Sequence, residues 1–160
     1  MKNQYLREME TPNPMVLISS GTVQYTEYKS RKPERFGPIE RKITLELGRD
    51  FGNYYQSLIP KCIKTVKQSY PTHITIVRGG IEPIINMEAW GKYKDKEISF
   101  YYMPMFRYYK NVYVLDAFSQ ELNDIRVELG LTPYRKGYRR FHITIANDKF
   151  LREDKKQNLP

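Results

Sequence analysis

Cysteine and long apolar runs are almost absent from this sequence of 160 residues. The single cysteine, Cys62, excludes an intrachain disulfide and favours a reducing compartment. The N-terminal segment lacks the apolar core of a signal peptide, and nowhere do the roughly 20 consecutive apolar residues of a membrane-spanning helix occur. These absences predict a soluble cytoplasmic protein without a membrane partner, and no obligate protein partner is evident.

Histidine is also scarce, and its two copies, His73 and His142, stand in the same tetrapeptide, His-Ile-Thr-Ile. A zinc site requires three or four ligands at characteristic spacings. Two histidines and one distant cysteine do not provide such a set. We therefore expect no metal and no other cofactor.

Acidic residues are outnumbered, because the chain has 27 lysines and arginines against 18 aspartates and glutamates, a formal net charge of +9. Basic residues flank both tetrapeptides, and they are Lys61, Lys64, Lys67, Arg78, Arg135, Lys136, Arg139, Arg140 and Lys149. Such a surface favours a polyanionic partner such as RNA or an oligonucleotide. Solubility alone explains the charge equally well, so the charge supports a nucleic-acid ligand without deciding for it.

Length and the even spread of apolar residues predict one domain over residues 1–160, with a polar arm at 1–15 and a flexible tail at 150–160. Alternating apolar positions predict strands at 16–18, 21–28 and 43–47, with a charged loop over 29–41. An apolar stripe at helical spacing follows, in which Pro60 must begin or kink a helix. The stripe consists of Tyr55, Leu58, Ile59, Cys62, Ile63 and Val66.

The second half of the chain repeats this order of strand, helix and strand. After a strand at 97–103 and another at 112–115, a helical stripe is formed by Phe118, Leu122, Ile125 and Leu129, and Gly130 and Pro133 end it. The two histidines are 69 residues apart, as are Ile43 and Val112. We interpret the chain as a duplicated α+β domain with pseudo-repeats at about 43–80 and 112–147.

Each tetrapeptide fits a strand with one solvent-exposed face and one buried face. Side chains on a strand alternate, so His73 and Thr75 share one face while Ile74 and Ile76 share the other. If the strand stays regular, Arg78 lies on the isoleucine face, which argues against a substrate role for it. Two such strands side by side would present two imidazoles and two hydroxyls to one cleft.

That set of groups fits the cleavage of a phosphodiester without a metal. The reaction needs a base for the attacking oxygen, an acid for the leaving oxygen and donors for the phosphoryl oxygens. Histidine serves both proton roles near neutral pH. The threonine hydroxyls, held on stiff β-branched side chains, are suited to the phosphoryl oxygens.

The paired motif resembles the signature of the two-histidine (2H) phosphoesterases, His-x-Thr-x in each half of a duplicated domain. Both His73-Ile74-Thr75-Ile76 and His142-Ile143-Thr144-Ile145 match it in full, and the likeness covers about residues 43–147. The resemblance implies a bilobal, LigT-like fold with a central cleft, and direct roles for His73, Thr75, His142 and Thr144. Family members include RNA cyclic phosphodiesterases, 2′,5′-oligoadenylate-degrading enzymes, and viral or phage proteins that destroy nucleotide second messengers in the host cell.

Aromatic and basic residues near the motifs are candidates for substrate contact, because aromatic faces stack on unpaired bases. The segment before the second motif provides Tyr134, Tyr138, Arg140 and Phe141, and the only tryptophan, Trp90, is a further candidate. Residues of these types more often belong to a core or to a solvated loop.

Two functions stay open on the sequence. The first is an enzyme that hydrolyses short or cyclic ribo-oligonucleotides, with 2′,5′-linked, 2′,3′-cyclic or cyclic nucleotide signals as its substrates. The rival is a non-catalytic module that binds RNA in the same basic cleft. Because neither a Ser nor a Cys nucleophile is evident beside the histidines, we expect attack by water or by a ribose hydroxyl, with ribonucleotides preferred. The sequence does not distinguish which histidine is the base.

Overall fold

A computed structural model describes residues 16–148, and it places eight strands, three α-helices and one 3₁₀ turn there. The strands are β1 (Leu17–Lys29), β2 (Ile39–Glu46), β3 (Thr65–Lys67), β4 (His73–Val77), β5 (Glu97–Tyr102), β6 (Arg107–Tyr109), β7 (Val112–Phe118) and β8 (Phe141–Asp148). The helices are α1 (Pro33–Phe36), α2 (Arg49–Ser57) and α3 (Gln120–Glu128), and the 3₁₀ turn is Met87–Ala89. The arm predicted at 1–15 and the tail predicted at 150–160 lie outside the described residues.

All eight strands belong to one sheet, and each pairing in it is antiparallel. Six strands pair in a closed cycle, in the order β1, β2, β4, β8, β7, β5 and back to β1. The short strands are additions, β3 to β8 and β6 to β7. The protein is therefore a mixed α/β protein dominated by an antiparallel sheet, in agreement with the predicted α+β class.

One face of the sheet carries the core. The isoleucines of the two motif strands, Ile74, Ile76, Ile143 and Ile145, are between 0% and 3% exposed. Burying one such side chain stabilises the fold by about 1.5–3 kcal/mol relative to leaving it in water. Since neighbouring residues on a strand face opposite ways, this burial directs the histidines and threonines to the other face.

The two longer helices bury their apolar faces against the same core. From α2, Tyr55 reaches Tyr102 of β5, and the two hydroxyls are 2.7 Å apart. From α3, the buried residues include Leu122 and Ile125. Gly130 ends α3 with φ 84°, a left-handed conformation that suits glycine. The predicted end of this helix is confirmed, but Phe118, predicted as the first residue of its apolar stripe, belongs to β7 instead.

The first predicted strands are in fact one. Residues predicted as separate strands at 16–18 and 21–28 form the continuous strand β1, whose first half pairs with β5 and whose second half pairs with β2. Gly21, predicted as the start of the second strand, lies inside β1 where the chain closely approaches β2. A Cβ at that position would lie 2.6 Å from the Glu46 carbonyl oxygen. The predicted loop at 29–41 likewise contains α1 and the start of β2.

The first helix was predicted too long. It ends at Ser57, before Pro60, and Val66 belongs to β3 instead. Cys62 is an exposed free cysteine outside the helix. Proline lacks the amide hydrogen that a helix interior requires, so the apolar stripe beyond it has no helical continuation. Among residues 16–148, no helix has the length and apolar content to cross a bilayer.

Candidate active site

The two motif strands are direct neighbours in the sheet. Ile74 of β4 pairs with Ile143 of β8 in antiparallel register. In such a ladder the flanking residues also face each other, so His73 lies opposite Thr144 and Thr75 lies opposite His142. The structure therefore brings the four predicted motif residues together as two crossed histidine–threonine pairs on one face of the sheet.

These four side chains are partly accessible, in contrast to the buried isoleucines between them. Neither threonine hydroxyl hydrogen-bonds to another residue within 16–148. A hydroxyl that is partly accessible and not engaged in the fold is available to a ligand. This face of the sheet thus offers a ligand two imidazoles and two hydroxyls without other partners in the described part of the chain, all at adjacent positions of β4 and β8.

His73 is oriented by the backbone just before its own strand. Its Nδ1 lies 2.7 Å from the carbonyl oxygen of Pro71. Because a carbonyl only accepts, Nδ1 carries the proton and donates it there. The other ring nitrogen, Nε2, is then the atom left for chemistry, in either protonation state of the ring.

His142 has a different environment. The ring stacks on Tyr138 with centroids 6.2 Å apart and planes at 28°. Burial lowers the pKa of His142, and the positive charges of Arg107, Arg135 and His73 lower it further, while Asp116 partly offsets them. His142 is therefore held towards its neutral form.

Asp116 lies beside His142 on the third strand of the site. It pairs with His142 across β7 and β8, and it is only 6% exposed. Arg107 of β6 donates two hydrogen bonds to its Oδ1, from Nη2 at 2.8 Å and Nε at 3.1 Å, and Nε also lies 3.2 Å from Oδ2. Arg140 donates to Oδ2 at 2.8 Å. One buried carboxylate thus holds two guanidinium groups next to the imidazole.

Tyr138 links His142 to the cationic loop before β8. The Arg135 guanidinium carbon lies 4.2 Å from the ring centroid of Tyr138, and Arg135 also donates to the Tyr138 hydroxyl at 2.7 Å. That hydroxyl lies 3.0 Å from the hydroxyl of Tyr109. The loop segment predicted for nucleotide contact is therefore fastened to both β6 and the motif histidine.

A pocket opens beside Thr75 and His142. Its lining consists of Thr75, Ile76, Arg78, Glu82, Arg126, Tyr134, Arg135, Tyr138, Arg140, Phe141 and His142. Four of the predicted substrate-contact residues, Tyr134, Tyr138, Arg140 and Phe141, are among them. Phe141 is 5% exposed and Tyr134 packs on it with centroids 5.5 Å apart, so these two rings form the apolar wall.

Trp90 does not line this pocket. It packs edge-on against Tyr25 with centroids 4.9 Å apart and adds to the periphery of the core. The structure thus separates Trp90 from the other predicted substrate-contact residues.

The regular strand that would have placed Arg78 on the isoleucine face does not extend to this residue. Ile76 and Val77 are both buried, and β4 ends at Val77, so the alternation stops before Arg78 is reached. The register between β2 and β4 also shifts here, between the pair Thr44–Thr75 and the pair Ile43–Val77. Arg78 is exposed and lines the pocket with Thr75 and His142.

Sequence reasoning also missed Asp116 and Arg107. A signal for the first was present, because Asp116 interrupts the apolar run Val114, Leu115 and Ala117 of a strand. A carboxylate on a buried strand is rare unless it is paired. Arg107 belongs to β6, a strand of three residues with no periodic signal. Within residues 16–148, no group of three or more His, Cys, Asp or Glu side chains is arranged to hold a metal ion.

Comparison of the chain with family models, with curated proteins and with solved structures gives no match in any of the three. The motif residues and the geometry around them are therefore the basis for a proposed function.

Proposed function

We propose that this protein is a metal-independent phosphodiesterase that acts on short or cyclic ribo-oligonucleotides. The observation that carries the proposal is the crossed arrangement of His73 with Thr144 and of Thr75 with His142 on adjacent strands. Two imidazoles on one side of a sheet provide a base and an acid for a single phosphoryl group. Rigid strands, rather than loops, hold them in place.

We further propose that the fold is the duplicated, bilobal arrangement of the 2H phosphoesterases. In support, β2, α2 and β4 follow one another in the first half as β7, α3 and β8 do in the second, although β3 intervenes before β4. In each half the strand before the helix pairs antiparallel with the motif strand. Independent invention of the same order, pairing and tetrapeptide in both halves is a less economical explanation than duplication.

The proton roles follow from the two environments. His142, whose pKa is lowered by burial and by Arg107 and Arg135, is the neutral base that accepts the proton of the attacking hydroxyl. As the acid, His73 acts in its doubly protonated form, in which Nδ1–H stays bonded to the Pro71 carbonyl oxygen and the Nε2 proton is delivered to the leaving oxygen. This assignment puts the base beside Thr75 and the acid beside Thr144.

The charge that develops on the phosphoryl oxygens is met by donors from both strands. The hydroxyls of Thr75 and Thr144 flank the space between the two imidazoles, and Arg140 lies at its border with its guanidinium held by Asp116. Donors that are already oriented need no reorganisation when the charge appears. The nucleophile is the ribose hydroxyl adjacent to the scissile phosphate, since the substrate itself supplies the proximity.

The test is incubation of the purified protein with linear 3′,5′- and 2′,5′-linked, 2′,3′-cyclic and cyclic oligonucleotides, with mass analysis of the products in the presence and absence of EDTA. We expect cleavage of at least one ribonucleotide class that EDTA does not inhibit. Each substrate is paired with an analogue that lacks only the adjacent ribose hydroxyl. Equal cleavage of the substrate and its analogue would show that the nucleophile is an activated water and not the ribose hydroxyl.

Variants His73→Ala and His142→Ala distinguish the enzyme from a clamp that binds RNA without turnover. Both should abolish cleavage while the melting temperature changes little, because partly accessible side chains contribute little to packing. RNA binding without turnover of any substrate would establish the clamp. A large loss of stability with activity retained would show that the histidines are structural.

A further inference from the structure

We propose that the pocket beside Thr75 and His142 binds a second phosphate group of the substrate, through Arg78 and Arg135. The inference rests on the proposed function, since the scissile phosphate is the one between the two histidines. It specifies the substrate as a nucleotide that carries a phosphate beyond the scissile one. A mononucleotide with a single phosphate would leave this pocket empty.

The charge balance of the pocket supports an anionic ligand. Five arginines lie in it or directly behind it, and they are Arg78, Arg107, Arg126, Arg135 and Arg140. Among residues 16–148, the carboxylates that form salt bridges with these arginines are Glu82 and Asp116. Glu82 is committed to the buried Arg126, and Asp116 is shared by Arg107 and Arg140. Positive charge therefore remains in excess at the mouth of the pocket.

Two of the arginines have no carboxylate partner within residues 16–148. Arg78 is exposed, and it bonds to Glu82 only through its backbone, with its amide donating to the carboxylate at 3.0 Å and its carbonyl oxygen accepting from the Glu82 amide at 3.4 Å. Arg135 makes its contacts to Tyr138 and keeps most of its guanidinium donors unused. Guanidinium groups match the oxygens of phosphate in a bidentate fashion, which makes these two the main donors to the ligand.

The position of the pocket fixes the geometry of the substrate. Thr75 and His142 are two of the four motif residues and also line the pocket. The scissile phosphate and the second phosphate therefore occupy adjoining spaces. The apolar wall of Tyr134 and Phe141 lies on the same side. Arg78 and Arg135 line the pocket with Thr75 and His142, whereas His73 and Thr144 do not line it. A phosphate on only one of the two nucleosides should therefore reach these arginines.

The experiment measures binding, so that it does not depend on turnover. The probes are three dinucleoside monophosphates in which the attacking ribose hydroxyl is replaced by hydrogen, one unmodified, one with a 5′-terminal phosphate and one with a 3′-terminal phosphate. Calorimetry gives the three dissociation constants. We expect one terminal phosphate, and not the other, to tighten binding by about tenfold or more, the size of a charge-assisted interaction.

Variants identify the residues responsible. Arg78→Met with Arg135→Met should reduce the ratio between the phosphorylated and the unmodified probe to about one. Because both probes contain the same dinucleoside monophosphate, any effect of the variants on binding of that common part cancels in the ratio. Lys94→Met, which removes an exposed charge elsewhere, is the matched control and should keep the wild-type ratio. If the double variant does not fold, the exposed Arg78→Met alone should lower the ratio.

Other outcomes overturn the inference. A second cavity of about 240 Å³, lined by Arg49, Gln56 and Gln68 among others, lies near α2. If Arg49→Met removes the phosphate preference and the double variant retains it, the phosphate binds in that cavity instead. Equal affinity for all three probes would mean that no second phosphate is recognised. Phosphate preference in a protein that cleaves nothing would leave the pocket intact and refute the enzyme.

Discussion

Asp116 on β7 lies directly across from His142 on β8, and its buried carboxylate forms salt bridges with Arg107 and Arg140. A carboxylate beside a histidine usually raises the pKa of the imidazole. Here burial, Arg107 and Arg135 act in the opposite direction and dominate, so the pKa of His142 is lowered. The carboxylate that anchors Arg107 and Arg140 thus limits how far the pKa of His142 is lowered.

Replacement of Asp116 tests that balance. Asp116→Asn keeps the size of the side chain but removes the negative charge that offsets the effect of Arg107 and Arg135 on His142. The pKa of His142 should fall further, so the acidic limb of the profile of kcat/KM against pH should move to lower pH. Stability should drop by about 1–2 kcal/mol in urea unfolding, a modest figure because both arginines are partly exposed. A limb that moves upward would contradict the electrostatic account.

Removing the charge of Arg135 should move the acidic limb of the pH profile in the opposite direction, to higher pH. Removing its positive charge in Arg135→Met raises the pKa of His142, so the base becomes protonated at higher pH and the acidic limb moves up. Arg135→Lys retains the charge and is the matched control, which should keep the limb close to the wild-type position. The measurement is kcat/KM across pH with a substrate that carries one phosphate. Identical pH profiles of kcat/KM for Arg135→Met and Arg135→Lys would exclude a role for the charge of Arg135.

The threonine hydroxyls can be tested with little disturbance to the sheet. Valine has the same shape and is also β-branched, so Thr75→Val and Thr144→Val should leave the melting temperature nearly unchanged. If the hydroxyls donate to the phosphoryl oxygens in the transition state, each substitution should lower kcat by about 100-fold. Thr65→Val, in β3 and outside the motifs, is the control. Wild-type kcat in both motif variants would remove the threonines from the mechanism.

The buried ion pair behind the pocket has a structural role. Arg126 is 1% exposed, and it bonds to Glu82, to the Ile76 carbonyl oxygen at 2.6 Å and to the Thr132 carbonyl oxygen at 2.8 Å. Arg126→Met leaves Glu82 and both carbonyls without this partner, so the free energy of unfolding should fall by about 3–5 kcal/mol. Adding Glu82→Gln should recover part of the loss, as measured by urea unfolding. A double variant less stable than Arg126→Met would contradict the pairing.

The sequence by itself determined the strands and helices with clear periodicity. Ile98, Phe100 and Tyr102 alternate as predicted and are buried in β5, and the stripe of Leu122 and Ile125 forms α3. The motif strands were also found, because identical tetrapeptides with polar and apolar residues in alternation leave little choice of structure or face. Local patterns of this kind need no knowledge of the partner strand.

Only the tertiary structure decided what surrounds the motifs. The pairing of Ile74 with Ile143 joins strands 69 residues apart, and no local pattern encodes that register. Arg78 reaches the pocket because β4 ends at Val77, and Asp116 and Arg107 meet because β6 folds back on β7. Their positions depend on strand ends, register shifts and cross-strand neighbours, all of which form only when distant parts of the chain pack together.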